Sequence, residues 1–565
     1  MTENDAKAGS AHGEIEEVDV LIVGAGFSGI YATYKFRELL GMSVRTFEAG
    51  VDLGGTWNWN RYPGARCDSE GYVYCFSFDK DLLREWSWSG KYPDQPELLR
   101  YFNHVADRFD LRRSIDLNTW VTRASYNDES NRWLIETNTG RCVSAKYFIP
   151  AVGQLTIAPV FPDIPGLEDF KGEWYHTAKW PTEPVDMTDR RVGVIGTGSS
   201  GVQAIPVIAE DARHLTVFMR SPQYSVPARH ETVTPEFLAD VKARYDEIWE
   251  TCKVSAGGFP WQHNGKRARD VSPEEREATF EALWQEGGQK FALGGYKDLL
   301  YNTQVAEWAS DFIKRKIAET VHDPEISAAL MPEHLFMSRR PIIDTNYFET
   351  FNRDNVSLVD LRRTPIVGAT QSGLKTSEEE IELDIIVIAT GFDRKAGPFF
   401  KMNIEGARGV ALRDAWADGA RSYLGLLARG FPNMFMTTGP VMTAGNAPVM
   451  IQNNVDFFAN LVTYMERNGI ERVDVEKQAE DEWTASINAE ASRSVGASYV
   501  RPEDAWKAGK KTLSLGHLGK FRKRLLEIQD AGFEGLIFDG ASDQAGHGSA
   551  GSGKSDGADH LLRSA

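Results

Sequence analysis

The sequence predicts an α/β protein of two dinucleotide-binding units with a helical insertion inside the second. Three observations carry the prediction. V-D-V-L-I-V-G-A-G-F-S-G, from Val18 to Gly29, is a buried-strand pattern that runs into a glycine turn and a helix. R-V-G-V-I-G-T-G-S-S-G, opening at Arg191, repeats the device. Between 234 and 335 the pattern turns helical: Thr234-Pro235-Glu236 and Ser272-Pro273-Glu274-Glu275 each place a hydroxyl cap before a proline at the first helical position.

In chain order, residues 1–17 are polar and read as a loose leader. The first strand and glycine turn lead into a helix to about Leu40 and a second strand, Val44 to Phe47, which ends in Glu48. Residues 119–149 alternate and carry Asn127, Asp128, Asn138 and Gly140, the pattern of antiparallel hairpins. Phe148 to Gly153 and Ile386 to Asp393 are both strands that exit through a glycine, where the chain can cross between units. The expected division is 18–155 with 386–540 as the first nucleotide-binding unit and 156–233 with 336–385 as the second. The insertion is 234–335, and 541–565, rich in Gly and Ser, is a disordered tail.

Composition narrows the function. The 565 residues are 42% apolar, enough to bury a large core, and carry 63 basic against 81 acidic side chains, a net charge of −18. An acidic chain without a dense Lys/Arg tract is a poor partner for nucleic acid. The apolar runs are of strand length, so no membrane span is expected. Four scattered cysteines, Cys67, Cys75, Cys142 and Cys252, form no C-x-x-C pair, which argues against a dithiol centre or a zinc cluster and for a cytoplasmic setting. The histidines are equally scattered, so no metal is expected.

The two glycine turns are Rossmann-like fingerprints: Gly24, Gly26 and Gly29, then Gly196, Gly198 and Gly201. The missing side chains let backbone approach a pyrophosphate at the positive end of the following helix. What closes the second strand selects the nucleotide. Glu48 stands 48 − 24 = 24 residues after its first glycine and Arg220 stands 220 − 196 = 24 after its own. A carboxylate accepts from a bare ribose diol, whereas a cation beside the Ser221 hydroxyl suits a 2′-phosphate. The first site therefore reads as FAD and the second as NADPH. Together they allow disulfide reduction, electron transfer or oxygen activation. The first needs a cysteine pair that is absent; the cofactors alone leave the other two open.

Two longer patterns carry a family resemblance. F-K-G-E-W-Y-H-T-A-K-W-P contains Phe170, Gly172, His176, Trp180 and Pro181 at the spacing F-x-G-x-x-x-H-x-x-x-W-P, and Gly54 to Asp68 carries G-x-W-x-x-x-x-Y-P-G-x-x-x-D. In both, from about residue 15 to 540, the chain resembles the type I Baeyer–Villiger monooxygenases, of the phenylacetone, cyclohexanone and steroid branch. The resemblance implies an NADPH- and O2-dependent flavoprotein that converts a ketone to an ester or lactone, with no protein partner. It implies that Arg340 acts over the flavin, that Asp68 holds it, and that Arg339 helps bind the 2′-phosphate. Ser28, Thr56, Trp57, Tyr74 and the backbone at Val121 would line FAD, although Trp57 and Tyr74 by themselves read as core aromatics. Arg66 and Thr197 to Gly201, with Ser199 and Ser200 between, would meet NADPH. His176, by its place in the linking segment, reads as a hinge rather than an acid–base group.

Relatives carry a Gly-x-Asn-x-Pro-Gly-Lys stretch after a C-terminal tryptophan, whereas Trp506 is followed here by K-A-G-K-K, so the expected lid is short. The loop Gly439 to Met450 offers Met442 and Met450 either to a ketone pocket or to packing on the flavin. The alternatives are a heteroatom (S/N) oxygenase, and an NADPH-oxidising flavoprotein that is no oxygenase, which the short lid would favour.

Overall fold

The computed structural model describes residues 15–155, 158–393, 396–443, 445–498, 513–514 and 516–539. The expected tail, 541–565, and Trp506 with the lysine-rich stretch after it lie outside the described residues, as does most of the expected leader.

Two sheets organise the molecule, in agreement with the α/β class. The first has seven strands in the order Ile404–Glu405, Val121–Asn127, Arg132–Thr137, Cys142–Pro150, Glu16–Val23, Val44–Phe47 and Ile115–Asp116. Glu16–Val23 pairs in parallel with Val44–Phe47 and Cys142–Pro150, and the hairpin strands 121–150 are antiparallel. The opening strand includes Glu16 and Glu17, the last two residues of the expected leader. Glu16 is held at 2.8 Å by Arg45 and 2.6 Å by Arg141, so ion pairing extends the strand beyond its apolar run.

The second sheet is wholly parallel, in the order Val356–Asp360, His214–Met219, Arg191–Ile195, Ile385–Ile388 and Glu173–His176. This moves one expected boundary. Ile385–Ile388, whose last three residues were assigned to the first unit, sits fully buried between Arg191–Ile195 and Glu173–His176. A strand of four consecutive apolar residues needs cover on both faces, and the centre of a parallel sheet supplies it. The return to the first unit therefore follows this strand.

The stretch 234–335 is helical, with Thr234 and Ser272 accepting from the amides of Phe237 and Glu275 as caps. It is not one body attached to the second unit. Helix Tyr245–Val254 turns Tyr245, Ile248, Trp249 and Cys252, one stripe of i, i+3, i+4 and i+7, into the core of the first unit. Helices Pro273–Glu286 and Thr303–Thr320 bury Phe280, Leu283, Phe312 and Ile313 in the core of the second. The insertion thus spans both cores.

The glycine turns are shaped by contact. Gly24 and Gly196 have φ of 104° and 109°, a region that side-chain-bearing residues avoid. A Cβ at Gly29 would lie 1.7 Å from the Gly24 carbonyl oxygen, and one at Gly201 2.1 Å from that of Gly196; at Gly198 it would meet nothing within 4 Å. The third glycine of each turn serves helix–strand packing, while Gly198 leaves space for a ligand. Gly201→Ala is accordingly expected to cost about 1–3 kcal/mol and to lower the thermal midpoint followed by circular dichroism. Gly198→Ala should leave that midpoint where it is.

Candidate functional site

The strand ends of both sheets open on one cavity of about 1820 Å³, larger than one small ligand needs. At the first glycine turn, Gly24, Gly26, Ser28 and Glu48 line it. Glu48 is 3% exposed, and its oxygens accept from the amides of Ala25 at 2.6 Å and Gly50 at 2.7 Å. Burial pushes its carboxyl above the ordinary value, against the pull of those two amides. Glu48 thus braces the turn, and a carboxylate has lone pairs beyond those two amides with which it can accept from a ribose. Thr56, Trp57, Tyr74 and Val121 line the same region. Gly55, at φ 53°, faces Gly26 so closely that a Cβ there would stand 2.8 Å from the Gly26 Cα.

At the second turn the lining residues are Gly196, Thr197, Gly198, Ser199 and Ser200, with Arg220 and Ser221 at the end of the next strand. Thr197 Oγ1 donates to the Ser221 carbonyl at 3.2 Å, tying the turn to that strand end. Arg220 is exposed beside it.

Between the turns lie the two expected catalytic residues, 272 positions apart in the chain, with Arg340 Nη2 donating to Asp68 Oδ2. Both line the cavity, with Arg66 and Arg339 as neighbours in sequence. Met337, buried at φ 66°, makes the left-handed turn that starts Ser338-Arg339-Arg340, a strained conformation of the kind stored at functional sites. Asp68 is anchored from the other side. Gln203, on the helix of the second glycine turn, accepts from Tyr62 Oη at 2.8 Å and donates to the Arg66 carbonyl at 3.0 Å. A Cβ at Gly64 would lie 2.4 Å from the Gln203 carbonyl. Gln203 was not singled out from the sequence; its one signal is that it lies one helical turn after Ser199.

The fingerprint residues stand apart from the cavity. Phe170 is buried under the second sheet, and Gly172 is closed by the Asp384 carbonyl, 2.4 Å from where a Cβ would be. Trp180 and Pro181 line a second, smaller groove. His176 is 2% exposed; its Nδ1 accepts from the Ala178 amide at 3.0 Å, so the neutral ring carries its proton on Nε2, 3.2 Å from the Val160 carbonyl. Burial lowers its basicity further. Val160 in turn donates to the Gly391 carbonyl at 2.9 Å. His176 thus joins the second sheet to the strand exit at Gly391 and does not line the cavity.

The donor set fits the two expected nucleotides. The first turn offers a side-chain-free cradle and a diol acceptor. Nearby, Asn446 immediately precedes the 22-residue helix Ala447–Asn468 and lines the cavity; its Nδ2 donates to the Val73 and Gly258 carbonyls, while its buried Oδ1 meets no partner among the described residues. An orphaned acceptor of that kind suits the N–H of a flavin ring. The second turn offers open space over Gly198 and an exposed cation. Met442 and Met450 line the cavity too, beside Val441, a β-branched residue at φ 62°. All four cysteines are free thiols, and no cluster of metal-ligating side chains occurs among the described residues. Nor is any described helix long and apolar enough to cross a membrane.

Comparison with known proteins agrees with this geometry. Residues 21–258 match the family described as pyridine nucleotide-disulphide oxidoreductase. A Baeyer–Villiger monooxygenase of Pseudooceanicola batsensis is 40% identical over 95% of this chain and 98% of its own length. A cyclohexanone 1,2-monooxygenase of an Acinetobacter species is 41% identical over 83% and 86%. Among solved structures, an oxidised steroid monooxygenase bound to NADP superposes with a TM-score of 0.89 at 41% identity, covering 93% of this chain and 100% of that one. With both glycine turns and the Asp68–Arg340 contact lining one cavity, and with similarity of this extent, the chain belongs to the Baeyer–Villiger monooxygenases.

Proposed function

We propose that this chain is an FAD- and NADPH-dependent monooxygenase that converts a ketone, O2, NADPH and a proton into an ester or lactone, water and NADP+. The observation that carries the reading is the Asp68–Arg340 contact inside the one cavity that both glycine turns open on. The chemistry supplied by bound FAD is the passage of two electrons from NADPH to O2.

The protein's own part is positional and electrostatic. Glu48 holds the ribose of one nucleotide. Arg220 and Ser221, helped by Arg339, hold the 2′-phosphate of the other, and the amides of Thr197 to Gly201 hold its pyrophosphate. Arg340 keeps its proton throughout, so a permanent cation faces the oxyanion that develops when a carbonyl is attacked. Asp68 fixes where that cation stands. Met442 and Met450 give the ketone adaptable apolar contacts. His176, committed on both ring nitrogens, serves the link between units and moves no proton of the reaction.

Three experiments test this. A ketone panel run under 18O2 with NADPH should give ester carrying one labelled oxygen in step with NADPH consumed. Consumption with hydrogen peroxide as the sole product would leave the oxidase reading standing, and oxygen transfer to sulfides or amines alone would leave the heteroatom reading. Arg220→Ala should raise KM for NADPH about 10- to 100-fold, the worth of a charge-assisted contact, and leave KM for NADH within about twofold; equal losses for both would remove Arg220 from the 2′-phosphate. Arg340→Ala should still let NADPH reduce the flavin while ester formation falls about 10²-fold or more. Undiminished ester would remove Arg340 from the chemistry.

A further inference from the structure

The outer part of the cavity is built from segments that neither nucleotide fingerprint uses. Met442–Thr443 pairs in parallel with Leu513–Ser514, and the chain continues into helix Leu518–Asp530. That helix start is packed on the methionine loop: a Cβ at Gly516 would lie 3.1 Å from Thr443, and one at Gly258 2.8 Å from Leu518. The opposite wall is the insertion segment from Gln289 to Tyr301, whose Leu300 carbonyl accepts from Val495 at 2.8 Å. The compartment is largely apolar, with Phe259, Leu293, Trp483 and Phe521 among its walls.

Its charged lining has one sign in excess. Among the described residues, Lys297, Lys520, Arg524, His263 and His517 line it, against the one carboxylate of Glu490. Glu490 accepts from Tyr301 Oη at 3.5 Å, and Arg524 stands near Glu527 and Glu534 at 3.9 and 3.5 Å. Lys297 and Lys520 are exposed, line the cavity and make no ion pair among the described residues. In a chain with 18 more acidic than basic side chains, two uncommitted lysines facing one apolar compartment are a local reversal of field, and a cleft with low-dielectric walls concentrates such a field.

We propose that the ketone oxidised here carries a second, anionic group, a carboxylate remote from the reacting carbonyl, which Lys297 and Lys520 hold at the outer end of the compartment. The proposal rests on the Baeyer–Villiger reading for what happens at the carbonyl and adds which ketones reach it. Apolar walls take the chain between the two ends, and the lysines select the charged end.

The test pairs methyl-ketone carboxylates of about five to ten carbons with their methyl esters, on the flavin-loaded full chain. For the best-fitting length, kcat/KM should favour the acid about tenfold, as expected of two partly exposed charge contacts. Raising the salt concentration should erode the acid's advantage without touching the ester's rate. Lys297→Met and Lys520→Met should each shrink the acid-to-ester ratio, and both together should bring it near one, while the Kd for NADPH stays at the wild-type value. No acid preference at any length, or a ratio that ignores both substitutions, overturns the proposal. So does weakened NADPH binding with an unchanged ratio, because the anion would then be the nucleotide's own phosphate. Binding of the acid to the oxidised holoenzyme, followed by the flavin spectrum without turnover, separates the two readings. Lysine-dependent binding without ester product fails the Baeyer–Villiger reading alone, and ester product without lysine-dependent binding fails this one alone.

Discussion

The carbonyl of Ala151 presses on Gly24 and that of Ala389 on Gly196, at 2.7 and 2.6 Å from where a Cβ would stand. Each contact is the end of one strand crossing the glycine turn of its own sheet, and only a residue without a side chain, at positive φ, lets it happen. The rest of the site depends on this pair of crossings. They leave the carboxyl ends of the parallel strands of both sheets facing the same space, which is where open α/β sheets hold ligands. They also carry the chain out of each sheet on that side, so loops from distant parts of the sequence converge there. The Asp68 loop is anchored to the helix of the second turn through Gln203, and the Arg340 loop starts from the buried, strained turn at Met337.

That anchoring matters because the pair itself is weak glue. The Arg340 side chain is 45% exposed and that of Asp68 28%, and exposed ion pairs contribute about 0–1 kcal/mol. Attraction between the two side chains does not hold the loops in place; backbone packing does, and the pair exploits the position. The same division appears at the first nucleotide. Glu48 is buried by the turn it braces, so the carboxylate presented to a ribose is fixed by two amides before any ligand arrives.

Features set by local spacing were legible in the sequence. The glycine turns, the opposed Glu48 and Arg220, the hairpins and the helix caps each involve a few neighbouring residues and follow from their chemistry. The Asp68–Arg340 contact was reachable only through resemblance, since nothing local links residues 272 positions apart. F-I-P-A-V-G and I-V-I-A-T-G are apolar exits that share Ala and Gly at the same places, and that likeness does not say which sheet owns the second strand; pairing partners are a non-local property. The split of the insertion between two cores was equally hidden. An apolar stripe such as Tyr245, Ile248, Trp249 and Cys252 states that a helix must be covered and does not state by what. Lys297 had no sequence signal, because a lysine is ordinary until its surroundings lack a carboxylate, and Lys520 opens the short basic stretch K-F-R-K-R, which by itself reads as a solvated helix face.

The insertion's division has a consequence for how specificity can change. The reacting end of the cavity is made by the two glycine turns and the loops tied to them, where a shift of one side chain disturbs nucleotide binding and catalysis together. The outer end is made by the insertion and the C-terminal helices. Because Tyr245–Val254 is seated in one core and Thr303–Thr320 in the other, the segment between them spans the compartment and is held at both ends. Side chains on that span line the cavity from a segment packed at both ends. On the proposed reading, a substitution at Lys297 changes the field in the compartment at a position 43 residues from Arg340 in the chain, so that chemistry and substrate choice would be carried by different segments joined by one cavity.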